Sequence, residues 1–208
     1  MFKYLIISFL ITSTAAFSQT DFTIDEQPCG LEGSAKRVND KQFNRLKNRS
    51  VAPTKAQIDP QFNWTELAKF EDDRDKFSVE KGATLRGYVL RVKMSEAETC
   101  NCNSKTPDFR DTHLIITPDA EQTGVLNQIV VEITPRLRAQ MQARGVDWSQ
   151  DALKKLRGKY IEIEGWLFYD YNHGNQSAKI RQKTKGVTRS TAWEIHPVTA
   201  LKIISNGE

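Results

Sequence analysis

Two imidazoles and two carboxylates fall on segments that read as strands: His113, Glu132, Glu194 and His196. Glu194 and His196 are two residues apart in an extended run, so their side chains point the same way. Imidazole nitrogens together with carboxylate oxygens make a donor set for a divalent transition metal. The same groups also serve as a general acid and base. His113 and Glu132 join the pair only if strand registry brings them there, and spacing leaves registry open. With a metal bound, such a cluster belongs to a metal-dependent hydrolase, a nuclease for example. The plainer reading is a hydrogen-bonded set on one sheet face, with Arg136 or Arg86 neutralising the acids.

A second constellation lies at about 166–189. Lys179, Arg181, Lys183, Lys185 and Arg189 are five cations in eleven residues, with no acid among them. Such a stretch makes a local positive field that can steer a phosphate- or carboxylate-bearing polymer. Trp166, Phe168, Tyr169 and Tyr171 precede it, and aromatic rings beside cations suit stacking on bases or sugars. The expected ligand is an anionic or polyhydroxylated polymer, an oligonucleotide or oligosaccharide, with Trp166, Phe168 and Tyr171 stacking and Lys179, Arg181, Lys183 and Lys185 supplying charge. The alternative is a solvated loop that binds nothing. A third class is an accessory subunit of a cell-envelope complex, in which the aromatic surface meets a protein partner. No serine elbow, phosphate loop or His-Glu-x-x-His pattern appears in the chain.

The elements that must position these residues follow from periodicity. Residues 83–94, 112–118 and 128–134 alternate as strands, 136–156 carries a helical pattern, and 159–169 and 191–204 alternate again. Strand, strand, strand, helix, strand, strand is the order of an OB-fold, a five-stranded barrel whose first and fourth loops flank the ligand. Those loops here are about 95–111 and 170–190. Gly87 marks a bend in the first strand. Pro135 ends the third, and Asp147 with Gln150 reads as a capping box. The fourth strand places Ile161, Ile163, Gly165 and Leu167 on one face. The fifth divides Trp193 and Ile195 from Glu194, His196 and Val198.

Ahead of the barrel, at 81–208, an extension at 19–80 carries two short helical patterns. One is near Phe43 and Leu46, the other near Phe62, Leu67 and Phe70, which would cover the barrel's open end. The charged run 71–76 reads as a solvated turn. Lys3, the apolar run 4–11 and Ala16-Phe17-Ser18 form an export signal, so a mature chain is expected to start near Gln19, in the periplasm or outside the cell. The 208-residue chain has a formal net charge of +4, which falls to +3 without Lys3. That weak bias does not by itself imply nucleic acid. No run approaches the ~20 apolar residues of a membrane span. Cys29, Cys100 and Cys102 make an odd count for an oxidising compartment. One disulfide with one thiol left over is the simplest arithmetic, and ligation of a metal by the Cys-Asn-Cys pair is the alternative.

Five segments also carry a family likeness: Cys100-Asn101-Cys102, Asp111-Thr112-His113, Glu132-Ile133-Thr134-Pro135-Arg136, Gly165-Trp166-Leu167 and Trp193-Glu194-Ile195-His196-Pro197-Val198. In this order they resemble an uncharacterised family of exported bacterial OB-fold-like proteins with CNC, D-x-H, E-[VI]-TPR, GWL and WEIHPV segments. The likeness runs from about Leu46 to Ile204. It implies kinship and an exported compartment, and assigns no ligand, activity or catalytic residue.

Overall fold

Five alternating segments close on one another because each has one face that must leave water. In the computed structural model, which describes residues 22–205, they are β1 (Gly82–Met94), β2 (Thr112–Thr117), β3 (Ile129–Ile133), β4 (Tyr160–Tyr169) and β5 (Trp193–Ile204). β1 pairs antiparallel with β2 and β4, β2 with β3, and β5 with β4, while β3 meets β5 in parallel. The barrel is closed, the OB-like arrangement expected from the element order. The expected export signal lies outside the described residues. Among the described residues no helix is long and apolar enough to cross a membrane.

Leu85, Val89, Leu114, Ile116, Val131, Ile133, Ile161, Ile163, Leu167 and Ile195 fill the interior. Each such side chain contributes about 1.5–3 kcal/mol on burial. Gly165 permits a close approach of β4 and β5: a Cβ there would stand 2.3 Å from the Pro197 carbonyl oxygen. The β4–β5 register slips on either side of Gly165. This slip moves Val198 into the core with Trp193 and Ile195, not onto the His196 face that strict alternation would give it. The irregularity in β1 lies between Val89 and Arg91, while Gly87 lets the Thr117 carbonyl come within 2.8 Å of where a Cβ would be.

The extension packs across the barrel through α1 (Val38–Lys47) and α2 (Trp64–Leu67). Phe62 and Leu67 enter the core beside Phe77, as a cover for the open end should. Phe70 does not; it remains exposed. The run 71–76 is not wholly solvated either, because Asp73 is buried 3.1 Å from the buried Lys179 ammonium. Between β3 and β4 stand α3 (Pro135–Ala143) and α4 (Gln150–Lys154). Thr134 caps α3 and Ser149 caps α4, with Asp147 accepting from the Ser149 N–H in place of a capping box. Arg138 is buried and donates to the Asp108 and Arg110 carbonyls, pinning the loop at 95–111 to α3. A disulfide joins Cys29 to Cys102 and ties the extension to the same loop, while Cys100 remains a buried free thiol. The loops at 95–111 and 170–190 leave the barrel at one rim, where both line a single cleft with α1. Within the second loop, Ala178–Arg181 forms α5.

Candidate metal centre

Registry settles what spacing left open. His113 stands directly opposite Glu132 in the β2–β3 ladder, and Val131 lies beside Ile195 in the parallel β3–β5 contact. Glu132 therefore reaches His196. These side chains, with Glu194, alternate with the core residues and project from the outer face of the barrel. That face is roofed: Glu132, Glu194 and His196 are all buried. The roof brings further donors. Asp111 leads into β2 two residues before His113, Glu98 and Cys100 come from the turn at Thr99–Asn101, and α1 supplies Lys47.

The atoms converge. His113 Nε2 is 3.1 Å from Glu132 Oε1, and His196 Nδ1 is 3.2 Å from Glu132 Oε2 and 3.5 Å from Glu194 Oε2. His196 Nε2 lies 3.9 Å from Asp111 Oδ2. Cys100 Sγ is 3.6 Å from Glu98 and 3.9 Å from Asp111. Despite these distances, none of the four imidazole nitrogens makes an aligned hydrogen bond, and Glu132 Oε2 and Asp111 Oδ1 also lack one. Ligands held about 2.1 Å from one ion in a tetrahedral shell are about 3.4 Å apart, close to the imidazole–carboxylate spacings here. Among the described residues three sets offer donor atoms within 4.8 Å of one another: Glu98, His113 and Glu132; Asp111, Glu132 and His196; and Glu98, Cys100 and Asp111.

Crowded carboxylates set the electrostatics. Burial first, then repulsion from Glu98 and Glu132, pushes Asp111 up to about 6 against the pull of His196. Burial and Glu132 likewise raise Glu194. Burial would lower both imidazoles, but the surrounding carboxylates, Glu132 foremost, together more than reverse it, so His113 and His196 are raised. Glu132 goes the other way: the two imidazoles outweigh its burial and hold it well below the usual carboxylate range. Burial and Asp111 push the Cys100 thiol far up. The cluster is thus short of positive charge and retains protons wherever it can. Lys47, 2.5 Å from Glu98, supplies part of the missing charge. Arg189 supplies more, paired with Glu194 and 3.3 Å from Asp170, which in turn holds His173 at 2.5 Å. Arg136 and Arg86 are not the neutralising groups. Arg136 donates to the Cys29 carbonyl, and Arg86 pairs with Glu162.

One side of the cluster opens to the cleft of about 520 Å³. Glu98, His113 and Lys47 are on its wall, with Phe43 and the exposed Tyr171 further out. His196 and Asp111 lie behind, fully enclosed.

The residues expected to hold a polymer are dispersed. Trp166 is buried, its indole N–H donating to the Val51 carbonyl and its ring covered by the Arg49 guanidinium at 4.4 Å. Phe168 is buried with its ring 5.5 Å from that of His196. Lys179 is consumed by Asp73, so it offers no charge to a ligand. Arg181, Lys183 and Lys185 are exposed but do not line the cleft. Of the set, Phe168 and Tyr171 do. The physical reason is the extension, which covers the face on which the stacking rings stand. Conversely, the expected metal residues gain Asp111, Glu98 and Cys100, which spacing had left in a loop. The available signal was Asp111-Thr-His113: two residues apart at a strand start, both side chains take the same face. Neither a family model nor a curated protein matches the chain.

Proposed function

We propose that this protein is a metal-dependent hydrolase of phosphate esters that works outside the cytoplasm, with a cation held by Glu98, His113 and Glu132. One observation carries the reading: these three offer donor atoms within 4.8 Å of one another, and Glu98 and His113 stand on the wall of a cleft of about 520 Å³ with Glu132 buried behind them. Neither His113 nitrogen has a hydrogen-bond partner, although the ring is buried against a carboxylate. Three protein ligands with one side open to solvent is the pattern of a catalytic cation, whereas structural sites are closed. A divalent cation there would supply Lewis-acid polarisation and a bound water that ionises near neutral pH.

The chain's own residues complete the arrangement. Lys47 stands beside Glu98 at the cleft and can meet a phosphate oxygen. Phe43 and Tyr171, with ring centroids 5.5 Å apart, offer an aromatic face for a base or an aromatic leaving group. The Cys29–Cys102 disulfide supports an oxidising compartment.

The test uses protein purified without a histidine tag, stripped by chelator and resupplied with Mn²⁺ or Zn²⁺, and assayed on bis(p-nitrophenyl) phosphate. Hydrolysis should appear with the cation and be lost in a folded His113→Ala chain. A cation-loaded protein that leaves this diester and single-stranded oligonucleotides intact would remove the hydrolase reading.

A further inference from the structure

The cation position above uses one oxygen of Glu132, and the other oxygen faces a second donor set. Oε1 is 3.1 Å from His113 and Oε2 is 3.2 Å from His196, so the carboxylate stands between two imidazoles with one oxygen for each. Behind His196 lies Asp111, and Asp111, Glu132 and His196 again offer donors within 4.8 Å of one another. This half is closed: the side chains of His196 and Asp111 have no exposure. Both His196 nitrogens, Asp111 Oδ1 and Glu132 Oε2 lack hydrogen-bond partners. Burying polar groups unpaired costs about 1–3 kcal/mol each by protein mutational measures. One nitrogen of His196 with one oxygen each of Asp111 and Glu132 can share a cation as their counterpart.

The two halves repeat a plan. Each has one imidazole, one carboxylate of its own (Glu98 outside, Asp111 inside) and one oxygen of Glu132. The geometry points to a two-cation centre bridged by Glu132, with an outer ion at the cleft and an inner ion enclosed by Asp111 and His196. The inference rests on the hydrolase reading for its outer half. Cys100 lies between Glu98 and Asp111 and closes the ring on the remaining side. A bridged pair sits about 3.5–4 Å apart, the spacing at which two ions clamp the attacking and leaving oxygens of a phosphoryl transfer. With Glu194 already paired to Arg189, two divalent ions bring four positive charges against the three carboxylates of Glu98, Asp111 and Glu132, leaving one over. Lys47 adds another. The anion that balances this surplus is the substrate's phosphate, which makes phosphate esters the substrate class and disfavours neutral polymers.

Titration of the chelator-stripped, untagged chain with Mn²⁺ alone tests the bridged pair. Elemental analysis after gel filtration counts the ions, and electron paramagnetic resonance reports whether they are coupled. Two ions per chain with an exchange-coupled spectrum is the expected result, and Asp111→Asn should retain one ion with a single-ion spectrum. One ion per wild-type chain, or two without coupling, overturns the bridged pair while leaving the outer site standing. No tight ion at all removes both the pair and the hydrolase reading. If Asp111→Asn does not fold, the ion count and spectrum of the wild type still separate these outcomes.

Discussion

Replacing Asp111 by asparagine should raise the melting temperature of the cation-free protein at pH 8 and abolish the rise that Mn²⁺ produces in the wild type. The carboxyl is fully buried among other acids and is pushed from 3.8 up to about 6. A pKa raised by folding means that the folded state holds its proton more tightly than the unfolded chain. The resulting penalty is absent below the unfolded value of 3.8, grows between 3.8 and about 6, and is complete above that. That rise corresponds to on the order of 3 kcal/mol. In a chain of this size 1 kcal/mol moves the melting temperature by about 2–4 °C, so removing the charge can gain up to about 6–12 °C. The amide retains an oxygen for His196, so little else is lost. Thermal unfolding followed by circular dichroism, with chelator and then with Mn²⁺, reads both signs. Near pH 4 the wild-type carboxyl is itself largely neutral, and the gain should fade. A chelated variant that melts several degrees below wild type at pH 8 would refute the reasoning. Asp111 would then be the stabilising partner of a charged His196, and the cluster a closed salt-bridge network.

Four further outcomes follow from the same geometry. Lys47→Gln should leave the Mn²⁺ count unchanged while lowering the rate of diester hydrolysis, because Lys47 touches Glu98 through one contact and faces the cleft; equal rates would exclude it from the chemistry. Cys100 should resist iodoacetamide in the folded protein and react after denaturation, since burial and Asp111 raise its thiol far above the usual range; rapid native labelling, read by intact mass, would contradict its enclosure. Neutralising Arg181, Lys183 and Lys185 together should leave hydrolysis of a small diester unchanged, whereas Lys179→Met should destabilise the fold by about 3–5 kcal/mol in urea unfolding, because it strands a buried Asp73.

The barrel was legible because period-2 alternation and element order are local properties. Leu114 and Ile116 in one strand, or Ile161 and Ile163 in another, declare their faces without knowledge of any neighbour. The site was legible only in part. Glu194 and His196 announce a shared face through spacing, but their convergence with His113 and Glu132 depends on registry, which belongs to the pair of strands. Glu98 and Asp111 sit in a loop whose path is held by Arg138 and the disulfide, both long-range constraints. The basic loop misled for a related reason. A count of cations does not reveal that Lys179 finds Asp73 and Arg189 finds Glu194, partners brought in by the extension and by β5. Val198 illustrates the limit of alternation itself, since the slips on either side of Gly165 turn it inward between Ile195 and Leu201, which keep the regular inward face.

The most direct measurement is an anomalous-difference map from a crystal of the chelator-stripped protein soaked in Zn²⁺ and measured at the zinc edge. A peak about 2.0–2.2 Å from oxygens of Glu98 and Glu132 and a nitrogen of His113 is the expected result. No peak at that wall of the cleft, with both imidazoles instead turned into aligned hydrogen bonds with Glu132, would contradict it.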